Sequence, residues 1–371
     1  MQITILETNP SDVTDYCQEP QLDAEHVEHI AEIFNTPLTG AYNWDYSDQD
    51  NRIKKLYALG KQLNWDGEID VDWSQTVDAI DKPELSAAEK EEALAQFREG
   101  FPFAEYQPYL DMDTDTQLEL HRHMNSWFIS QFLHGEQGAL LVASQLVSCA
   151  PTFNAKLYAA SQTFDEARHV EVFNRFVQQK IGLMYPVNRS LKDLLDKILT
   201  DPRWDLKFIG MQIVIEGLAL AAFNVAKMNT RDPVLRDLLH LVIRDEARHV
   251  TFGVNYLEDH VKSLTQEEVE DRAQFALEAC IVMRERMVPV DVHAHFGWDT
   301  TETRAISLGG AGRQQFRNLV FTRIIPNLKR IGLLTDKIRP HFEELGLLEF
   351  ETLPDDGNID WVELSKPLYD E

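Results

Sequence analysis

Apolar residues recur at helical spacing along most of the chain, and they predict a protein built from α-helices. Val27, Ile30 and Phe34 fall on one helical face, and apolar side chains three, four and seven residues apart are typical of a helix that packs on a core. The most apolar windows, 137–150 and 213–226, are each followed by turn-forming residues and a proline. The pattern therefore predicts two helical hairpins in the centre of the chain.

The two hairpins have matching dimensions. The first runs from Glu136 to Glu166 and turns near residue 150, and the second runs from Glu216 to Glu246 and turns near residue 230. At ~1.5 Å per residue, legs of 14 or 15 residues are about 21–23 Å long. Each antiparallel hairpin therefore returns to its starting level, so all four glutamates are expected in one layer of the bundle.

The segment 180–203 is long enough to cross from the second helix of the core to the third. Four helices with one long crossover make an all-α four-helix bundle. We assign this core to residues 118–262. The remainder divides into a helical N-terminal extension that packs on the bundle (1–117), additional helices (263–349) and an acidic C-terminal tail (350–371).

A doubled motif supplies the candidate chemistry. The sequence Asp-Glu-Ala-Arg-His occurs at 165–169 and again, 80 residues later, at 245–249. Residues three apart on a helix share a face, so each copy directs one carboxylate and one imidazole to the same point. A further glutamate lies 30 residues before the glutamate of each motif, which completes a set of six candidate metal ligands: Glu136, Glu166, His169, Glu216, Glu246 and His249.

The types of side chain in this set indicate which metals would bind. Four ionised glutamates carry a charge of −4, and burying them without compensation would be strongly unfavourable. Two divalent cations would neutralise that charge. A mixture of carboxylate and imidazole ligands suits iron or manganese, whereas all-oxygen sites suit magnesium or calcium.

Composition excludes several other functions. The chain has 371 residues with 44% hydrophobic content, enough for a sizeable core, and its net charge of −27 argues against binding to nucleic acid or anionic lipid. Cys17, Cys149 and Cys280 form no Cys-x-x-Cys pair, so neither a thiolate zinc site nor a disulfide framework is indicated. With no signal peptide or membrane span apparent, we expect a cytoplasmic protein.

These residues resemble the ferritin-like diiron-carboxylate oxidases and oxygenases. That superfamily includes ribonucleotide reductase small subunits, monooxygenase hydroxylases and arylamine N-oxygenases, and the resemblance covers about residues 130–255. It implies that Asp165 and Asp245 hydrogen-bond the ligand histidines and that Arg168 and Arg248 brace the aspartates. Because the second and fourth helices must face each other, we expect Asp165 to pair with His249 and Asp245 with His169.

The chain departs from each subfamily at one informative position. Phe173 occupies the position of the radical-storing tyrosine of ribonucleotide reductase subunits, and Leu220 occupies the position of a threonine in monooxygenase hydroxylases. Val242 occupies the position of an additional histidine ligand in arylamine N-oxygenases. The chain therefore resembles the superfamily as a whole and matches no single subfamily fully.

The function implied is that of an enzyme in which two iron ions, or manganese or mixed manganese and iron, activate dioxygen to oxidise a small organic substrate. The reaction would be N-oxygenation, hydroxylation or desaturation, with electrons from a ferredoxin or a reductase. An apolar substrate pocket is expected from side chains near the ligands: Ala139, Ala143, Phe173, Leu220 and Phe223.

Three alternatives stay open on the sequence. They are a radical protein like the ribonucleotide reductase small subunit, an iron-oxidising or iron-storage protein, and a manganese catalase. Ligand type does not separate iron from manganese. The substrate, the reductant and the oligomeric state, including a homodimer, are also left undecided.

Overall fold

A computed structural model describes residues 4–5, 50–75, 86–98, 100–309 and 321–366. The regular structure of the described part is almost all helical, as predicted. Its helices, in chain order, are α1 (Asn51–Gln62), α2 (Ala87–Arg98), α3 (Gln107–Leu110), α4 (Thr114–Cys149), α5 (Phe153–Phe176), α6 (Arg189–Thr200), α7 (Trp204–Phe208), α8 (Glu216–Asn229), α9 (Pro233–Val261), α10 (Gln266–Glu285), α11 (Val290–His295), α12 (Thr300–Leu308), α13 (Ile324–Ile331), α14 (Arg339–Glu344) and α15 (Trp361–Leu364).

The first hairpin consists of α4 and α5. Asp113 caps the start of α4 by accepting from the backbone N–H of Thr116, and α4 ends at Cys149. Thr152 caps α5 by accepting from Ala155 N. Pro151 precedes this cap, so it lies just outside the first turn of α5. The short link makes the two long helices antiparallel neighbours.

The third helix of the core is interrupted. Between α7 and α8 the backbone is π-helical over Ile209–Ile215, and α8 begins at Glu216. The irregular segment therefore ends directly before the candidate ligand Glu216. Such π segments often occur at functional sites, because the extra residue re-aims the side chains beyond it. Gly253 of α9 allows the close approach of this segment, since a Cβ there would lie 2.4 Å from Gln212 Cβ.

The crossover contains a short strand and a helix. Leu183–Met184 (β2) pairs in parallel with Thr4–Ile5 (β1), Thr4 opposite Leu183 and Ile5 opposite Met184. The amphipathic helix α6 then packs its leucine face on the bundle, where Leu195 fills the space over Gly138. The crossover thus covers one face of the core. A second π-helical turn, Val177–Ile181, and a 3₁₀ turn, Leu348–Phe350, complete the regular structure described.

Segments outside the bundle attach to it through ion pairs and hydrogen bonds. Arg52 of α1 pairs with Glu258 and Asp259 of α9. Near the C-terminus, buried Asp356 accepts from the side chain of Asn327 in α13. The domain boundaries given above remain an expectation, and residues 6–49 and 367–371 of the N-terminal extension and acidic tail, including the helix expected around Val27, lie outside the described residues.

Helix Trp204–Asn229 is long and apolar enough to cross a membrane by length and composition alone. However, 83% of its most apolar window is buried inside the protein. A central core helix has the same properties, because it is covered by protein on all sides.

The close contact at Gly253 gives a test of the packing around the π segment. We expect Gly253→Ala to lower the free energy of unfolding by about 1–3 kcal/mol, because the new methyl group meets the rigid stem of Gln212. The control is Gly217→Ala, whose Cβ would meet Ile324 at an ordinary 3.5 Å. That change should be neutral or stabilising in denaturant unfolding, since alanine favours helix. Equal effects of the two changes would contradict the proposed packing.

Candidate metal centre

The structure brings all six predicted ligands together in the centre of the bundle. They come from four helices: Glu136 from α4, Glu166 and His169 from α5, Glu216 from α8, and Glu246 and His249 from α9. None is more than 4% exposed. They form two groups of potential ligand atoms within 4.8 Å of one another, the first comprising Glu136, Glu166, His169 and Glu246, and the second Glu166, Glu216 and His249.

Two of the carboxylates lie between the imidazoles. Glu166 places Oε2 3.3 Å from His169 Nδ1 and Oε1 3.1 Å from His249 Nδ1. Glu246 likewise places Oε1 3.2 Å from His169 Nδ1 and Oε2 3.7 Å from His249 Nδ1. Each carboxylate thus directs one oxygen to each half of the centre. Each carboxylate could therefore offer one oxygen to each of two cations.

The outer ligands complete the two halves. Glu136 Oε2 lies 3.1 Å from His169 Nδ1, which assigns it to the first half. Glu216 groups with Glu166 and His249 in the second half. Each half therefore has one histidine and one glutamate of its own. Glu166 belongs to both groups, whereas Glu246 belongs to the first and approaches the second through Oε2, 3.7 Å from His249 Nδ1.

The donor atoms fit metal ions, because several of them are buried without a hydrogen bond. Both oxygens of Glu246, Oε2 of Glu166, Oε2 of Glu216 and Nδ1 of His249 have none within the described residues. Buried polar atoms are nearly always paired, so five such atoms at one point need an unusual explanation. Atoms that approach within about 4 Å without hydrogen-bond alignment are what a shared cation requires.

The pKa values of the candidate ligands in the metal-free protein also indicate a metal site. Burial, reinforced by the charge of Glu246, raises the pKa of Glu136 and Glu216 well above 4.5. Burial alone would lower the pKa of both histidines, but Asp245 beside His169 and Glu166 beside His249 help to raise it well above 6.5. Without metal the centre therefore holds extra protons, and metal ions would have to displace them.

Beyond the ligands, the histidines pair with aspartates of the opposite helix. His169 Nε2 lies 3.2 Å from Asp245 Oδ2, and His249 Nε2 lies 3.3 Å from Asp165 Oδ2. The pairing is crossed between α5 and α9, as the sequence analysis expected. A carboxylate at Nε2 fixes the proton there and turns Nδ1 toward the centre.

The two motif arginines close a ring with these aspartates. Arg168 Nη2 donates to Asp165 at 2.6 Å and to Asp245 at 2.8 Å. Arg248 Nη2 donates to Asp245 at 2.7 Å and to Asp165 at 2.9 Å. Both guanidinium groups are at most 5% exposed, so the arginines are buried counterions and not surface charge.

Comparison with known proteins identifies the family. The family model described as p-aminobenzoate N-oxygenase AurF matches residues 46–332. This chain belongs to the AurF family. The match confirms the sequence-based prediction of a ferritin-like oxidoreductase that uses dioxygen.

Other comparisons are more distant. An R2-like ligand-binding oxidase with aerobically reconstituted Mn/Fe cofactor shares 16% identity over 80% of this chain and 99% of that chain, with a TM-score of 0.45. An R2-like ligand-binding oxidase with aerobically reconstituted metal cofactor after photoconversion shares 16% identity over 76% of this chain and 93% of that chain, also with a TM-score of 0.45. Among curated proteins, none matches this chain.

In this AurF-family chain, sequence reasoning missed Trp65. Its indole Nε1 donates to Asp245 Oδ2 at 2.7 Å, and the Arg168 guanidinium lies 4.6 Å from its ring centroid. Trp65 follows α1, in a part of the chain to which no chemistry had been assigned. Trp65 and Asp245 are 180 positions apart, so no local spacing could have linked them.

Gln162 and Gln212 were also missed. Gln162 Nε2 donates to Glu216 Oε1 at 2.7 Å and to Glu166 Oε1 at 3.2 Å. Gln212 of the π segment donates to Gln162 Oε1 at 3.1 Å. A signal existed for both, because each glutamine lies four residues before a ligand glutamate, one helical turn away on the same face.

The residues expected in a substrate pocket are all buried. Phe173 and Phe223 stack with centroids 5.7 Å apart, and Phe132, which the sequence analysis did not select, contacts both. The remaining three, Ala139, Ala143 and Leu220, are at most 4% exposed. Their role in binding substrate remains a prediction.

The raised pKa of Glu216 gives a prediction about pH in this AurF-family protein. The pKa of Glu216 is higher in the folded protein than its value of 4.5 in the unfolded chain, so protonation of Glu216 stabilises the fold. This stabilisation is complete below pH 4.5 and is lost as pH rises through the pKa of the folded protein. In chelator, the free energy of unfolding should therefore fall as pH rises from the unfolded value of 4.5 through the raised folded value. We expect Glu216→Gln to flatten that slope by up to about 1.4 kcal/mol per pH unit in denaturant titrations.

Measuring the slope above about pH 6.5 avoids opposing effects from histidines. Burial lowers the pKa of His121 to about 4 from the ordinary histidine value of 6.5. Histidines of this kind change the free energy of unfolding only at pH values below about 6.5. An unchanged slope in the Glu216→Gln variant would show that Glu216 is ionised in the metal-free fold.

Trp65 gives a second prediction. Trp65→Phe keeps an aromatic ring but removes the donor to charged Asp245, so stability should fall by about 1.5–3 kcal/mol. Metal affinity should also fall, because Asp245 orients His169. The matched control is Trp73→Phe, since Trp73 Nε1 donates to a neutral backbone carbonyl, that of Gly67, at 2.6 Å. If Trp65→Phe binds metal as the control does, Asp245 does not depend on the indole.

Proposed function

We propose that this chain holds two metal ions, iron or mixed manganese and iron, and uses dioxygen to N-oxygenate a small aromatic amine. The observation that carries the proposal is the convergence of six buried ligands with Glu166 and Glu246 directed to both halves of the centre. The AurF family supports the choice of an amine, since its model is described by an N-oxygenase of p-aminobenzoate.

The ligands divide between the two ions in this proposal. Glu136 and His169 would hold the first ion and Glu216 and His249 the second, while Glu166 and Glu246 would be available to both. When bound, the metal pair supplies electrons to dioxygen and oxidising power toward the substrate. The surrounding protein sets the geometry, because the crossed aspartates keep each imidazole Nδ1 turned inward.

The apolar shell excludes water from the reacting groups. Phe132, Phe173 and Phe223 form a contiguous aromatic cluster. Water exclusion strengthens the electrostatic interactions in the centre and limits side reactions. The same aromatic surface suits a flat substrate with one amino group directed at the metals.

The reaction needs electrons from outside the chain. Converting an amine and dioxygen to a hydroxylamine and water consumes two electrons and two protons. We propose that a ferredoxin or a reductase supplies the electrons, in a reducing cytoplasm. Buried, unpaired Cys149 and Cys280 are compatible with that compartment.

The alternatives from the sequence have less support. A stable tyrosyl radical at the position of Phe173 is impossible without a phenol. A storage protein or a manganese catalase has no need of the aromatic cluster or of an N-oxygenase relationship. The family match therefore favours oxidation of an organic substrate.

Glu246→Ala tests the proposal. We expect metal content to fall below two ions per chain and oxygen consumption to fall with it, because one shared carboxylate is lost. Folding in chelator should survive, since removing a carboxylate relieves repulsion in the metal-free centre. The control is Glu171→Ala, an exposed glutamate of the same motif-bearing bundle.

The readouts are metal analysis, thermal unfolding in chelator and incorporation of label from ¹⁸O₂ into p-aminobenzoate and other aromatic amines. Label in the product with wild type and the Glu171→Ala control, but not with Glu246→Ala, is expected. A Glu246→Ala protein with two tightly bound metals and unchanged oxygen consumption would overturn the ligand assignment. Wild type that oxidises excess ferrous iron but labels no amine would favour the storage function.

A further inference from the structure

A carboxamide lies directly against one half of the candidate metal centre. Gln162 is fully buried, and its Nε2 donates to both Glu216 and Glu166. As metal ligands both carboxylates would be ionised and could only accept hydrogen bonds, so the amide nitrogen and not the oxygen would face them. Gln162 Oε1 is held on the other side by Gln212 Nε2 at 3.1 Å. The orientation of the carboxamide is thus fixed by partners at both ends.

The carboxylate oxygens that Gln162 contacts belong to the second half of the centre, the half that contains His249. Gln162 binds Glu166 at Oε1, the oxygen that faces His249, whereas the oxygen that faces His169 receives no donor from the described residues. Its other partner, Glu216, belongs wholly to that half. The amide therefore orients two carboxylates toward one metal position and leaves their other lone pairs available.

The internal repeat shows that the first half has no equivalent amide. The repeat spacing of 80 residues places Val242 in register with Gln162, and Phe132 in register with Gln212. Neither valine nor phenylalanine has a polar side-chain atom. The two repeats carry the same ligand residues, but they differ at the positions four residues before the ligand glutamates.

The first half has a charged neighbour instead. Buried Arg286 packs against Gly135 and donates to the Gln131 carbonyl at 3.3 Å. Burial lowers the pKa of Arg286 to about 10, and the charge of Glu136 opposes that shift. The two metal positions thus have different surroundings, one with a neutral amide donor and the other with a nearby cation.

We propose that Gln162 is a positioning residue that makes the Glu216–His249 position the tighter of two unequal metal sites. It preorients Glu166 and Glu216, so fewer carboxylate rotamers are lost when an ion binds there. Arg286, a buried cation beside Gly135 in the helical turn that carries Glu136, opposes a metal ion at the other position. This inference rests on the proposed two-metal centre.

The test is titration of full-length, metal-free protein with Co²⁺, followed by calorimetry and by the visible absorption of bound Co²⁺. Wild type should bind two ions in two steps of different affinity. Gln162→Met keeps the length of the side chain and removes the donor. We expect it to weaken the tighter step by about 10–100-fold, the usual effect of losing a hydrogen bond to a ligand, and to leave the weaker step unchanged.

A matched control separates positioning from stability. Gln131 is another buried glutamine, which donates to the Pro186 carbonyl at 2.9 Å and accepts from Asn188 N at 2.7 Å. Gln131→Met should lower thermal stability in chelator but leave both Co²⁺ steps unchanged. A merely structural role for Gln162 would give the same result as this control.

A double-mutant cycle assigns the step to a position. With Glu216→Gln in place, Gln162→Met should weaken Co²⁺ binding little further, because both changes act on one site. With Glu136→Gln in place, the full effect of Gln162→Met should persist. If Gln162→Met does not fold, Gln212→Met removes the group that holds Gln162 and should weaken the same step less.

The outcomes distinguish this inference from the proposed function. Two unchanged steps in Gln162→Met, or an equal loss at both, would overturn the role of Gln162 while leaving the two-metal centre intact. Wild-type protein that binds fewer than two Co²⁺ ions would overturn the two-metal proposal, and this inference with it.

Discussion

The structure depends on how four carboxylates are kept inside an apolar helical bundle. Glu136, Glu166, Glu216 and Glu246 are at most 4% exposed, and like charges at such distances repel strongly in a medium of low polarity. Two imidazoles and extra protons compensate this repulsion only partly, as the raised pKa values of Glu136 and Glu216 indicate. Metal ions would remove the conflict, so the same constraint that strains the metal-free fold favours a loaded centre.

A second charge balance surrounds the first. Asp165 and Asp245 are neutralised by Arg168 and Arg248, and all four are buried. Buried ion pairs contribute little to stability by themselves but are strongly destabilising when one partner is lost. Their position behind the histidines gives them a clearer role, which is to fix the imidazole orientation. Trp65 extends this network to the segment after α1, so the N-terminal part of the chain contributes to the centre.

The centre is symmetric in its ligands and asymmetric in its surroundings. The repeat supplies one glutamate and one Glu-x-x-His motif to each half, which leads to two similar metal positions. Gln162 and Gln212 on one half, against Val242 and Phe132 in register on the other, make those positions chemically distinct. Val242 also stands at the position where arylamine N-oxygenases carry a further histidine ligand, so the candidate ligand set of this AurF-family member has six residues.

The sequence by itself determined the helical class and the six converging residues. Spacing along a helix is local, so a motif with period three or four and two hairpins of equal length predict which side chains meet. It also predicted the crossed pairs Asp165 with His249 and Asp245 with His169, since only one arrangement of α5 and α9 directs both imidazoles inward. Tertiary structure alone decided the contact of Trp65 with Asp245, the π-helical segment before Glu216 and the choice of Gln162 as a partner of two ligands. Those features depend on contacts between residues distant in the chain and on the close approach of α9 to the π segment at Gly253, and neither leaves a periodic signal in the sequence.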